Sequence, residues 1–537
     1  MTNPCLTPEG VSCVLPDGRT LFSDLHDTFD QRRTGLVGRN GVGKSMLARI
    51  LAGQAQPSSG RCLRSGSVYY LAQHITPAEG ATVATLAGMQ HTLAALARIE
   101  AGSSDPADFD AVGDRWQIRQ QLQDALEQHG LGHLEVDTPA SRLSGGEAMR
   151  ASLIGAWLSD ADFLILDEPS NHLDRPRRQA LIDQLLHWPR GLLVVSHDRQ
   201  LLQGMERIVE LSSLGLRSYG GNYAFYAEAR ALERQHALQQ LEQRKLERQR
   251  QDQAMRAQRE RQSRRQARGD RHGKEANQAK ILLDRQKERS EASAGKLRQQ
   301  QLATRQLLDQ QVREAAQQVH HDALISLHAL PVERVAQRRV VELDAVELPF
   351  VPDATRHIDL VLNGQQRVGI VGPNGCGKST LLKVIAGQLA PLAGTCKVVA
   401  ATVWLDQGLA HLNPEHTVLE HMQAANRQAT DSDLRMRLAQ LDLDTQKIMV
   451  PSGLLSGGER LKAPLACALY ADETPQLLLL DEPGNHLDLP SVQALEAMLG
   501  SYRGAMIVVS HDDVFMDKLG LTDRLQVTAQ GWILDAW

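Results

Sequence analysis

Cysteine is scarce in this sequence and never closely paired: Cys5, Cys13, Cys62, Cys376, Cys396 and Cys467 stand without a single C-x-x-C spacing. That argues against a zinc site and against a disulfide framework, and leaves buried thiols in a reducing compartment. Long hydrophobic runs are missing as well. Unbroken apolar runs such as LLLL at 477–480 fall far short of the ~20 residues that span a bilayer. The opening MTNPCLTPEG lacks the basic-then-apolar pattern of a secretory signal. A cytoplasmic protein without a membrane partner is expected. Aromatic residues are only 4% of the chain, and the stretch RQSRRQARGDRHGKEANQAK at 261–280 has none. A platform that stacks single-stranded bases is thereby disfavoured for this stretch. Proline is absent from Tyr226 to Val319.

What is present is charge, unevenly placed. The 537 residues carry a formal net charge of −5. Residues 241–300 hold 18 Lys and Arg against 9 Asp and Glu, a local +9, so the remainder carries −14. An acidic body with a basic middle points to a polyanion met by one segment and not by the whole surface. The length suits two to four domains.

An internal repeat organises the chain. GRNGVGKS (38–45) and GPNGCGKS (372–379) both fit G-x-x-x-x-G-K-[ST], each after a short apolar stretch and before an apolar-periodic one. That is the strand–loop–helix setting of a phosphate-binding loop, whose glycines let backbone N–H groups turn toward phosphates at a helix N-terminus. Gly38, Arg39, Asn40, Gly41, Val42 and Gly43 would form the first cradle, and Gly372, Pro373, Asn374, Gly375, Cys376 and Gly377 the second, with Thr380 following. Lys44 and Lys378 would reach the β- and γ-phosphates of a nucleotide, while Ser45 and Ser379 would ligate Mg²⁺.

Further stations recur in the same order. Gln73 and Gln407 each lie 29 residues after the lysine. RLSGGE (142–147) returns as LLSGGE (454–459), and FLILDEPSNHLD (163–174) as LLLLDEPGNHLD (477–488). VVSHD at 194–198 returns at 508–512, its histidine 29 residues after the glutamate both times. Alone, an Asp-Glu pair after a strand is more often a helix cap, and a histidine after VVS more often a satisfied strand end. Repeated in order, they read as a site.

These motifs resemble the ATP-binding cassette ATPases. The resemblance implies that Asp167 and Asp481 hold Mg²⁺ with Gln73 and Gln407, that Glu168 and Glu482 polarise the attacking water, and that His197 and His511 contact the γ-phosphate. It also implies composite sites, with Ser144, Gly145 and Gly146 closing on the ATP of Lys378, and Ser456, Gly457 and Gly458 on that of Lys44. Adenine contacts are left unassigned among Cys13, Phe22 and Phe350. Pro464, inside the helix expected after the second LSGGE, is expected to kink it.

The stretch between the copies follows YGGNYAFYAEAR (219–230) and is rich in Gln, Glu, Arg, Lys and Ala, good helix formers. It predicts an antiparallel hairpin: a helix over 227–268, a loop at 269–275 and a helix over 276–319, with arms of ~60 Å. Leu232, Leu238, Leu241 and Leu246 would form a thin seam with Leu302, Leu307, Leu308 and Val312. Toward the tip Arg261, Arg264, Arg265, Arg268 and Arg271 take over. A solvated spacer and a polyanion contact are both open from composition, and the charge contrast favours phosphates of a structured RNA.

Tandem cassettes joined by such a hairpin resemble the ABC-F proteins. The expected fold is α/β, with cassette one over 1–226, a basic helical linker over 227–322 and cassette two over 323–537. Residues 91–130 would be a short helical hairpin, the "arm" of that family. The resemblance implies an ATPase that binds the ribosome at the tRNA exit site, its linker touching rRNA and tRNA, and pairs its cassettes within one monomer. A housekeeping translation factor and an antibiotic-resistance ribosome protector both fit; a DNA-associated ATPase or a transporter subunit fits less well.

Overall fold

Strands of a parallel sheet covered on both faces read as unbroken apolar runs, and each copy of the repeat has two. In the computed structural model, Phe163–Asp167 and Gly191–Val195 are buried at every position, as are Leu477–Asp481 and Ala505–Val509. The structure describes residues 4–73, 77–171, 173–275, 299–300, 302–316, 339–398, 401–405, 412–441, 443, 447–455, 457–472, 475–485, 487–528 and 530–537.

Each buried pair belongs to a six-stranded sheet. In the first copy the order is Val68–Leu71, Phe163–Asp167, Gly191–Val195, Arg33–Gly38, Arg207–Ser212 and Gly215–Gly220, parallel except for the last. The second repeats it with Thr402–Leu405, Leu477–Asp481, Ala505–Val509, Arg367–Val371, Asp523–Thr528 and Gly531–Ala536. A three-stranded antiparallel sheet accompanies each: Cys5–Val14 between Thr20–Leu25 and Ser59–Ser65, and Arg339–Glu347 between His357–Asn363 and Ala393–Val398. The helices Lys44–Leu51 and Lys378–Ile385 pack between the two sheets of their copy, burying Leu47, Ile50 and Leu51, and Leu381, Leu382 and Ile385. The α/β class expected from the sequence is the one observed.

Residues 91–130 depart from the expected two-helix hairpin. They form three helices, Gln90–Glu100, Pro106–Val112 and Ile118–Gln128. The extra one begins where Asp105 accepts a hydrogen bond from the Ala107 amide and Pro106 takes the first helical position, a strong start signal. Leu93, Leu96, Val112, Ile118, Leu122 and Leu126 form a core with Ala151 and Ile154 of the helix Gly145–Leu158. Pro464 does not break its helix, which runs continuously from Gly457 to Leu469.

The chain divides into two compact units, residues 1–226 with 325–537 in one and 227–324 in the other. Within the smaller unit the expected loop at 269–275 is absent: one helix runs from Tyr223 to Glu275, 53 residues, or roughly 80 Å. Gly269 and Gly273 cost only ~1 kcal/mol each relative to alanine in a helix, too little to end one. The start of the expected return helix, 276–298, lies outside the described residues; residues 302–316 are helical. Arg248 Nη1 stands 3.3 Å from Asp309 Oδ1, so the two helices lie together. The apolar seam is thinner than expected. Leu241 and Leu308 are buried, while Leu232, Leu238, Leu246, Leu302 and Leu307 are exposed.

Packing near the first LSGGE helix leaves no room at Gly155, where an added Cβ would fall inside contact distance of the Ala87 carbonyl. Gly155→Ala is expected to cost about 1–3 kcal/mol and to lower the melting temperature by roughly 3–10 °C. A melting curve identical to the parent's would show that this helix can move away from Ala87.

Candidate functional site

Both phosphate loops leave the carboxyl end of the central strand of their sheet, the usual ligand position in an open α/β fold. Gly41 and Gly375 have φ of 77° and 78°, Gly43 and Gly377 of 102° and 104°. A Cβ on Gly43 would stand 2.9 Å from the Phe22 ring, and one on Gly377 2.6 Å from Val351. Arg39, Asn40 and Val42, and Pro373, Asn374 and Cys376, complete the two loops. Lys44 Nζ donates to the carbonyls of Gly38 and Arg39 at 2.8 and 3.0 Å, and Lys378 Nζ to those of Gly372 and Pro373 at 2.8 Å. Burial holds the Lys44 ammonium below its ordinary pKa, with the nearby Glu168 acting against it. Ser45 and Ser379 follow as the second residues of their helices.

Beside each lysine stands a buried acid. Asp167 and Asp481 end their strands, and the next residues, Glu168 and Glu482, both take φ of 50°. Their amides are held by the carbonyls of Val195 and Val509 at 2.8 and 2.9 Å. Burial, with Asp481 adding to it at the second site, pushes both glutamates up to about 8. His197 Nε2 lies 3.5 Å from Glu168 Oε1 and His511 Nε2 lies 3.4 Å from Glu482 Oε1. Burial and the neighbouring lysines push these imidazoles down to about 3 and about 4, so both are neutral near pH 7. The two sites differ at the histidine, since His511 Nε2 is also 3.1 Å from Asn374 Oδ1.

Two observations bear on what these groups could hold. Among the described residues, Oε1 of both glutamates and both ring nitrogens of His197 are buried without a hydrogen-bond partner, an arrangement that is costly unless something completes it. The donors that line the same space are a hydroxyl (Ser45, Ser379), a carboxylate (Asp167, Asp481) and, at the first site, the amide of Gln73. Such hard oxygen ligands, too few to enclose a cation, fit Mg²⁺ bound jointly with phosphates. Gln407 lies outside the described residues.

These groups line one cavity of about 1020 Å³ that contains residues of both copies, among them Lys44, Glu168 and His197 with Lys378, Thr380, Glu482 and His511. An aspartate from each copy crosses to the other's loop: Asp488 Oδ2 accepts from the Asn40 amide at 2.8 Å, and Asp174 Oδ2 from the Asn374 amide at 3.4 Å. Ser144, Gly145 and Gly146 do not line the cavity. They sit at the start of their helix, where Ser144 and Glu147 cap each other and the glycines face open space. Gly457 and Gly458 open the corresponding helix, and Ser456 lies outside the described residues. Of the three residues left open for adenine, Cys13 and Phe22 are buried, whereas Phe350 is 93% exposed and lines the cavity.

The sequence reading passed over the crossing aspartates, although both are visible as the last residue of the repeated NHLD. It also passed over Arg178, another cavity-lining residue. No signal could have revealed it, because the second copy has Val492 at that place.

A family model described as ABC transporter matches residues 27–171 and 355–485. The energy-dependent translational throttle protein EttA of Mycobacterium tuberculosis is 31% identical over 90% of this chain and 85% of its own. The chain belongs to the ABC-F branch of the ATP-binding cassette family. This ABC-F protein is an ATPase. It is also 31% identical to the probable ATP-binding protein YheS of Escherichia coli, over 92% of this chain and 74% of that one. The tylosin resistance ATP-binding protein TlrC of Streptomyces fradiae is 32% identical over 92% of each chain. Among solved structures, an archaeal ribosome recycling factor, aABCE1, crystallised with the stalk protein aP1, shares the fold with a TM-score of 0.56 at 18% identity, over 96% of this chain and 87% of that one. Among the described residues no helix is long and apolar enough to cross a membrane.

The raised carboxyls give a direct expectation. In the nucleotide-free ABC-F protein Glu168 and Glu482 should be largely protonated at pH 7 and ionise as the pH passes about 8. Infrared difference spectra between pH 7 and 9 should show loss of a protonated carboxyl band, absent when both are replaced by Gln. Identical spectra from parent and variant would place their ionisation in the ordinary acid range.

Proposed function

We propose that this ABC-F ATPase acts on the ribosome in the cytoplasm, hydrolysing ATP at two composite sites between its cassettes, with the basic helical linker gripping RNA. Phosphoryl transfer needs positioning and charge neutralisation more than covalent help. In this reading Lys44 and Lys378 and the loop amides hold the phosphates. Ser45, Asp167 and Gln73, and Ser379, Asp481 and Gln407, hold Mg²⁺, which when bound neutralises charge on the phosphate oxygens. Glu168 and Glu482 accept the proton of the attacking water. Raised basicity suits them to that task near neutral pH. Neutral His197 and His511 donate to the γ-phosphate, and Phe350 stacks on adenine at the second site. Ser144, Gly145 and Gly146, with Ser456, Gly457 and Gly458, reach the opposite nucleotide when the cassettes close.

The observation that carries the ribosomal reading is the linker. A 53-residue helix on which Arg261 and Arg264 are exposed runs into the segment 241–300, which carries +9 while the rest of the sequence carries −14. Arg265, Arg268 and Arg271 belong to the same helix, their side chains lying outside the described residues. The likeness to a translational throttle protein supports this reading. A second reading, ribosome protection against an antibiotic, is favoured by the likeness to a tylosin resistance protein over 92% of each chain.

Two outcomes are expected. Glu168→Gln with Glu482→Gln should keep ATP binding while hydrolysis falls by about 10²-fold or more; near-parent turnover would remove both from the role. Replacing Arg261, Arg264, Arg265 and Arg268 by Gln in that trapped protein should weaken ribosome co-sedimentation. The slope of log affinity against log salt should become shallower by up to ~0.7–0.9 per charge removed. Unchanged affinity and slope would leave the arginines as solubilising charge on a spacer.

A further inference from the structure

The cassettes are repeats, yet the bonds between them are not symmetric: Arg199 pairs with Glu496, Arg175 and Gln200 meet Asp513, and Arg178 reaches the backbone of His511. The crossing aspartates Asp174 and Asp488 occupy equivalent places. One helical turn later the copies diverge, with Arg178 in the first and Val492 in the second. The Arg178 side chain is only 8% exposed. Its Nε and Nη2 donate to the Asp198 carboxylate at 2.6 and 2.5 Å, and its Nη1 donates to the backbone carbonyl of His511, in the other cassette, at 2.5 Å.

Both ends of this bridge sit on segments that carry a histidine of a nucleotide site. Asp198 directly follows His197 and anchors it by capping the helix Arg199–Gln203, accepting from the amides of Gln200 and Leu201. His511 in turn touches Asn374 of its own phosphate loop, and that loop is held by Asp174, one turn before Arg178. Asp174, Asn374, His511 and Arg178 thus form a chain of contacts that Arg178 extends to Asp198. Val492 carries no donor, so the Arg178 bridge has no mirror image, and beside it the Gln200 side-chain amide donates to Asp513 at 3.2 Å. Cohesion alone does not require the cation, since packed apolar groups hold an interface as well as a buried ion pair does.

We propose that Arg178 is a positioning residue that couples the two ATP sites by tying the His197 segment of one to the His511 segment of the other. The guanidinium is a rigid fork, so a shift of Asp198 when His197 meets a phosphate carries Nη1 and the His511 carbonyl with it. In this proposal the shift seats His511 as well, and thermodynamic reciprocity then makes ATP at either site favour ATP at the other to the same degree. The proposal rests on the reading of both histidines as phosphate contacts.

Steady-state hydrolysis by the full chain against ATP concentration tests it. The parent should be sigmoidal, with an affinity enhancement of about fivefold or more and a Hill coefficient rising from 1 toward about 2. Arg178→Met should be hyperbolic. Arg178→Lys should be hyperbolic too, because one ammonium cannot hold a carboxylate in two-pronged fashion and the carbonyl together. Val492→Met, the same side chain at the mirror position, should stay sigmoidal. A hyperbolic parent, or a sigmoidal Arg178→Met with only its turnover or melting temperature lowered, overturns the coupling. Should the Met variant fail to fold, the Lys variant decides on the same terms. Hydrolysis by His197→Ala with His511→Ala checks the histidine reading separately, since undiminished turnover there removes that reading and the route proposed from it, whatever the ATP curve of the Arg178 variants.

Discussion

Neither phosphate loop is complete within its own cassette: the Asn40 amide is held by Asp488 and the Asn374 amide by Asp174. A backbone N–H at a phosphate-binding turn is a strong donor, and leaving it buried and unmet costs about as much as a lost hydrogen bond. By supplying a carboxylate from the opposite copy, the fold makes the geometry of each loop depend on the seating of the other cassette. The single shared cavity and the contacts of His511 with both Asn374 and Arg178 follow from that arrangement.

Burial of the paired acids and histidines is the second feature of the site. Glu168 and Glu482 are carried on strained backbone with φ of 50°, next to an aspartate and among apolar strands. Burial raises the carboxyls and lowers the imidazoles, so the uncharged form of each is favoured where charge would be expensive. A buried lysine turned onto its own loop carbonyls belongs to the same pattern, since a cation in low dielectric must find acceptors.

Much of this was legible because it is written twice. Residues such as Lys44 and Lys378, or Glu168 and Glu482, recur at fixed spacing, and a phosphate loop needs its glycines and lysine in one short segment. The apolar runs before Asp167 and Asp481 announced buried parallel strands for the same reason, since local pattern and local chemistry coincide there. Where the sequence reading failed, the deciding energy was small or distant. Two glycines at 269 and 273 were not enough to end a helix that continues to Glu275. A capping aspartate at 105 started a third helix in the arm, and most of the linker leucines stayed exposed.

The sequence by itself determined that two ATP-binding cassettes exist and pointed to the carboxylates and histidines proposed to serve them, because each of those groups lies within a contiguous motif. Only the tertiary structure decided which loop receives Asp174 and which receives Asp488, that Phe350 and not the buried Phe22 faces the cavity, and that Arg178 spans from Asp198 to His511. Those are contacts between residues separated by up to 448 positions. They depend on how two folded surfaces meet, and no spacing along the chain encodes that.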